Sequence, residues 1–312
     1  QGSEVDITGG AAGDVTANTG DATIDGGATV GNVKAVAGTA TIEGATADSV
    51  TGSTVNLTDA TINGDGDADT ADVKATGTAT ITGTTIGGDV EAGTVAMTGG
   101  AAEDVKATTG TVTMDGTSAN SVSAAGKADL DDATITGTVQ GSEVDITGGA
   151  AGDVTAKGTA SITEATVGDV KATTATITDS TAGKVDATNA TITGGTVAGD
   201  VTTNEDATIT GAEIAGKVDA KGAATITGGT VAGTITAGGN ATITGGTVAD
   251  TITAGGDATI KGGAEVSDVT ATGNATIENA TAGTVAGKDV TITDGAAGDV
   301  TAKGTASITE AT

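Results

Sequence analysis

The chain alternates apolar and polar positions two by two, and glycine or acidic residues break the alternation at regular intervals. In GDVTA the Val and the Ala share a face; in NATIT the Ala and the Ile do. Period-two alternation marks a strand buried on one side. A Val or Ile ahead of a short polar or alanine step recurs at 15, 33, 50, 73, 90, 105, 122, 139, 154, 170, 185, 201, 218, 235, 252, 269, 285 and 300. The steps are mostly 15 to 18 residues, the one large exception being Val50 to Val73. A second apolar residue follows each mark by seven to nine positions, from Ile24, Ile42 and Leu57 through Met97, Met114 and Leu130 to Ile308. A third, which is Val, Ile or Ala, comes five or six positions later, as at Val30, Ile62, Ile86, Ile135, Val197, Ile214 and Val231.

Three short strands with glycine corners between them describe one coil of a solenoid. The pattern therefore predicts an all-β fold: a three-faced parallel β-solenoid (β-helix) of about 18 coils of 15–18 residues, with no aromatic core. Residues 230–246 and 247–263 differ at only three of seventeen positions: Gly233/Asp250, Asn240/Asp257 and Thr244/Lys261. One coil buries too few side chains to offset the ordering of its own backbone, so stability has to come from stacking coil on coil. The expected domain organisation is a single continuous solenoid over 1–312, with an acidic loop inserted at 63–72.

Composition narrows the chemistry. The 312 residues include 54 glycines and no Pro, Cys, His, Trp, Tyr or Phe; the twelve cations are all lysines. Side chains as small as Val, Ile and Ala fill a narrow core and not a wide one. Low complexity and a net charge of −29 bring disorder into consideration, but β-branched residues at fixed intervals argue for a fold. Without His, Cys, Tyr or Arg, the usual acid–base, thiol and phosphate-clamping groups are missing, so no enzyme is expected. The negative charge disfavours nucleic acid, and no run of eighteen apolar residues offers a membrane insertion.

Residues 1–17 recur unchanged at 140–156, and 295–312 repeat 149–166 letter for letter. The chain starts on a second strand and stops just after one, with no recognisable cap. Val5, Ile7 and Ile308 would then line open ends able to stack on another copy, so the expected partner is the chain itself, as a homopolymer that can also bundle laterally.

Four further features are candidates for function. Asp precedes the marked Val at 14, 72, 89, 104, 153, 169, 200, 268 and 299, interrupted by Lys184 and Lys217. Neighbouring carboxylates at 89/104 and 153/169 would stand about 4.8 Å apart, a repulsion that cations would relieve. The stretch NGDGDADTAD (63–72) resembles the calcium loop of EF-hand and dockerin-type modules. The resemblance puts Asn63, Asp65, Asp69 and Asp72 in ligand places for Ca2+, with Gly66 at the turn, whereas Thr61 replaces the first carboxylate and the flanking helices are missing. Thr brackets the central Ile on five consecutive coils: Thr176/Thr178, Thr191/Thr193, Thr208/Thr210, Thr225/Thr227 and Thr242/Thr244. This array resembles the TxT face of insect β-solenoid antifreeze proteins and implies ice or other surface binding; Thr is equally an ordinary choice for an exposed strand. Asn-x-Thr triplets at Asn56, Asn189, Asn240, Asn274 and Asn279 permit glycosylation.

As a whole the sequence resembles the repeat region of bacterial or archaeal surface fibres and adhesins of β-solenoid type. GDVKATTATITDSTAGKVDATNATITGG (168–195) is also similar to the coils of bactofilins, which polymerise end to end into cytoskeletal filaments. Those resemblances imply a structural filament, fibre or stalk, extracellular or at the cell surface, with a cytoplasmic filament as the alternative.

Overall fold

The structure is a computed structural model that describes residues 1–64 and 71–311. It is a parallel β-solenoid, and every regular element among the described residues is a strand. Two compact units are present, Gln1–Lys157 and Gly158–Thr312. In each, a turn consists of a first strand on the marked Val, a second strand on the central Ile and a short third strand. Among the described residues nine second strands fall in the first unit, from Val5–Thr8 to Glu143–Thr147, and ten in the other, through Ala306–Thr309. Their total exceeds the eighteen marks by one because a second strand precedes the first mark.

Like pairs with like from turn to turn. In the first unit Val73 faces Val50 and Val90, and Ile81 faces Leu57 and Met97. In the second, Ile209, Ile226, Ile243 and Ile260 stack in one file. These inward residues are fully buried, each contributing about 1.5–3 kcal/mol of transfer free energy. The alanines beside them, such as Ala224, Ala241 and Ala258, are buried as fully, small side chains that suit a narrow core. In two turns the first and second strands fuse into one nine-residue strand with no glycine inside it, Val170–Thr178 and Val185–Thr193.

The corner after the second strand is left-handed in every described turn. The residue there has φ between +46° and +70°, from Gly9 through Gly228 to Glu310. Glycine was expected at the corners and holds most of these positions. Asp59, Asp132, Asp179, Asp294, Asn279, Glu164 and Glu310 hold the rest. Asp and Asn tolerate this region better than other L-residues because their short side chains bond locally.

Two corner designs follow. In one, a second glycine is also left-handed, as at Gly100 and Gly195, and an added Cβ would run into the carbonyl of Thr84 or Ser180 on the turn below. In the other, a small residue turns inward and is buried: Ala60, Ala133, Ala165, Ala212, Thr84, Thr117 or Ser180. The Thr84 hydroxyl donates to the Thr82 carbonyl (3.0 Å) and accepts the N–H of Ala60 (3.3 Å).

Candidate functional surfaces

The threonine face lies in the second unit. The second strand points Ala and Ile inward, so the residues between and after them point out, and the parallel register aligns them. Thr176 faces Thr191, Thr191 faces Thr208, then Thr225 and Thr242; Thr178, Thr193, Thr210, Thr227 and Thr244 form the second row. Thr191, Thr193, Thr208, Thr210 and Thr227 are exposed, and the other five are half-buried. The row of Thr176 runs on through Thr259, Thr276 and Thr291, while the other row ends at Lys261 and Glu278. The structure thus brings all ten predicted threonines together on one sheet face.

The aspartates before the marked Val are not a bare file of repelling charges. The Oδ1 of each of several accepts the backbone N–H of the equivalent residue one turn on: Asp14 from Asn32 (3.0 Å), Asp89 from Asp104 (3.0 Å), Asp169 from Lys184 (3.0 Å) and Asp200 from Lys217 (3.0 Å). Asp104 accepts the hydroxyl of Ser121 (2.8 Å), and Asp268 accepts both the hydroxyl and the N–H of Thr284 (2.7 and 2.9 Å). Lys184 and Lys217 therefore continue the row. The N–H of each bonds the aspartate below, and Lys184 Nζ also lies 3.0 Å from Asp169 Oδ2. Two of these carboxylates have pKa values below the ordinary range, Asp169 and Asp268. The Lys184 N–H and then its ammonium hold Asp169 low; the Thr284 hydroxyl and then its N–H do so for Asp268.

A second row of this kind precedes the second strands and was not expected. Asp21 accepts the N–H of Thr39 (2.7 Å), Asn189 that of Asp206 (3.0 Å) and Asp206 that of Ala223 (2.7 Å). Asn240 accepts the N–H of Asp257 (2.9 Å), Asp257 that of Asn274 (2.7 Å) and Asp289 that of Thr305 (2.8 Å). The sequence signal was Asn or Asp at the same place in successive turns. Two of the glycosylation triplets, Asn189 and Asn240, thus spend their carbonyl oxygens on this row, and the amide of Asn189 also donates to Glu205 (2.8 Å).

Lysines sit between acids on the outer faces. Glu91 is flanked in register by Lys74 (3.4 Å) and Lys106 (3.0 Å), and Lys106 first, then Lys74, holds its carboxyl below the usual range despite partial burial. Lys127 lies 3.2 Å from Asp129 and 3.1 Å from Asp145. Partial burial works against its charge, but the two carboxylates outweigh that and raise its pKa. A shallow cavity of about 280 Å³ is lined by Asp89, Glu91, Asp104, Lys106, Ser121 and Ser123, and of these Asp104 bonds to Asp89 and Ser121, and Lys106 to Glu91.

Of the four residues proposed for calcium, Asp65 and Asp69 lie outside the described residues. Asn63 is exposed and its amide donates to Asp48 Oδ1 (3.3 Å). Asp72 is 5% exposed, its carboxylate packed against Gly88 and close to Gly64, where a Cβ would stand 3.1 Å from Oδ2. The two ends of the insertion therefore meet beside Asp72. No group of three or more acidic residues disposed to hold a metal occurs among the described residues. At the terminal turns, Val5 and Ile7 are half-buried and Ile308 is 56% exposed.

Comparisons with protein-family models, with curated proteins and with solved structures find no match.

Proposed function

We propose that the chain is a structural protein, a β-solenoid that extends turn upon turn as a filament, fibre or stalk and carries no catalytic site. The observation behind this reading is the interchangeability of the turns. Ala224, Ala241 and Ala258 pair in one register, and so do Ile226, Ile243 and Ile260. The row of backbone donors and acceptors that a turn offers on one side is complementary to the row on its other side, and unpaired strand edges of this kind template further pairing. A turn of a second copy would be received as a neighbouring turn is, with Val5 and Ile7 on one side of the junction and Ile308 on the other. Net charge of −29 keeps such an assembly dispersed in water. The resemblance to surface fibres and adhesins favours a place at the cell surface or beyond, and fractionation of cells separates this from a bactofilin-like filament in the cytoplasm. On the sequence pattern at 63–72, calcium held by Asn63, Asp65, Asp69 and Asp72 would brace the inserted loop.

Negative-stain electron microscopy of the purified chain, with calcium and with chelator, tests the proposal. Filaments one solenoid wide support it, and their loss on chelation assigns calcium a part. Single particles at every concentration and in both conditions would overturn it.

A further inference from the structure

We infer that the threonine face of the second unit is a lateral docking surface for a second copy of this chain, each copy laying its face on the other's. The argument starts from charge. Two copies of a chain bearing −29 repel unless they meet where charge is absent, and the repulsion between exposed groups reaches about 8–10 Å at physiological salt. Over the five turns from Thr176 to Thr244 the two outward rows contain no charged residue. The corner that borders them on one side is Asp179 in the first of these turns and glycine in the next four, Gly194, Gly211, Gly228 and Gly245, so over those four no side chain overhangs the face. On the other border the acids in these turns are Glu205 and Asp206, and both are engaged: Glu205 accepts the Asn189 amide at 2.8 Å and Asp206 Oδ1 the N–H of Ala223 at 2.7 Å. The matching face of the first unit differs: Asp25, Glu43, Asp115, Asp129, Asp131 and Asp145 stand on it.

Shape points to the same partner. Identical β-branched side chains repeat at the inter-strand spacing of about 4.8 Å, giving two parallel ridges with a groove between them. A second copy presents the same ridges at the same spacing, so ridge fits groove, as in the paired sheets of steric zippers. Each hydroxyl both donates and accepts, so facing threonines satisfy one another without a complementary set of residues. Five turns cover less than the roughly 800 Å² per partner of a stable interface. One pair of chains therefore associates weakly, and the contact gains strength when several copies are already joined along their axes. The inference does not rest on axial stacking, because the face is complete within one chain.

Sedimentation equilibrium of the whole chain from about 10 µM to about 1 mM, in 0.5 M NaCl to screen the acidic corners, tests it. The expected result is a reversible monomer–dimer equilibrium. A Thr208→Lys, Thr225→Lys variant, folded by circular dichroism, should raise the dissociation constant at least tenfold. To locate the contact, the chain's lack of cysteine allows a single Thr208→Cys probe and a short bis-maleimide, with Thr236→Cys, exposed on the first strand Ile235–Ala237, as control. Thr208→Cys should cross-link many times faster than Thr236→Cys. A monomer throughout the range, a dimer indifferent to the lysine pair, or equal cross-linking at both positions would overturn the inference. So would a monomer that slows ice growth and loses that property in the lysine variant, which would assign the face to ordered water.

Discussion

The hydroxyl of Ser180 accepts the N–H of Ala165 from 3.1 Å on the turn below and donates to the carbonyl of Thr178 at 2.7 Å. A polar side chain only 3% exposed thereby joins two turns inside a corner. Thr84 makes the same pair of bonds with Ala60 and Thr82. Thr117 occupies the equivalent place, yet its Oγ1 is buried without a partner. The turn beneath Thr117 has the two-glycine corner Gly99–Gly100, both left-handed, which differs from the Asp59–Ala60 corner beneath Thr84. Thr84→Val should therefore cost about 1–3 kcal/mol, the loss expected when a buried hydroxyl and its donor are separated. Thr117→Val should be neutral or stabilising. Denaturant unfolding of the two variants decides, and equal losses would refute this account of the corner.

The same corners set a backbone prediction. Glu164 holds φ +54°, where a non-glycine residue is strained by about 1 kcal/mol. Glu164→Gly should raise stability by about 0.5–1 kcal/mol. Gly195→Ala should lower it by more than about 2 kcal/mol, since strained φ and collision with the Ser180 carbonyl coincide there. Thermal unfolding measures both, and a destabilised Glu164→Gly would show that the carboxylate contributes more than the strain costs.

Acid should loosen the rows of aspartates. Asp169, Asp268 and Glu91 have folded-state pKa values below their ordinary ones. Their contribution is complete above the ordinary carboxylate range, near about 4, and is lost as pH falls through the depressed values. The melting temperature should stay flat from pH 8 to pH 5 and fall below about pH 4. Asp268→Asn keeps an oxygen that accepts and cannot titrate, so it should reduce the slope below pH 4. An unchanged slope would show that the bonds to Thr284 do not matter in solution.

Whole turns should be removable. Deleting residues 247–263 joins Gly246 to Ala264 and brings Val231 opposite Val266 and Ala241 opposite Ala275, the partners that Val248 and Ala258 have now. With stability near a sum over turns and their junctions, the shortened chain should fold and melt within about 5 °C of the parent. Loss of the β-type circular dichroism spectrum would contradict the modular picture.

The coil, its three strands and its buried files were legible because a strand's inward positions cannot drift without exposing apolar side chains, so the period stands in the letters. The threonine rows were legible for the same reason, once alternation and register were granted. The corners were less so. Thr84, Thr117 and Ser180 are polar, and they are buried only because the residue before each is left-handed, a property of φ that Gly83 signals and Asp179 does not. The row of Asp21, Asn189, Asp206, Asn240, Asp257 and Asp289 was not legible, because in the letters an acid shows its charge and not the bonds it accepts. Their use as acceptors shows only when the next turn's N–H is placed above them.

Because the ladder bonds run between turns, such as Ala241 N–H to Asp257 carbonyl and Ile252 N–H to Asp268 carbonyl, a turn is held to its neighbours more than to itself. Tension along the stack would not shear all of these bonds together. It would peel the outermost turn, unzipping one short row of bonds and paying out about 55–60 Å of slack chain for some seventeen residues before the next turn bears load. A molecule so made would yield under pull as a series of nearly equal steps, each spending work that a single cooperative domain would release at once.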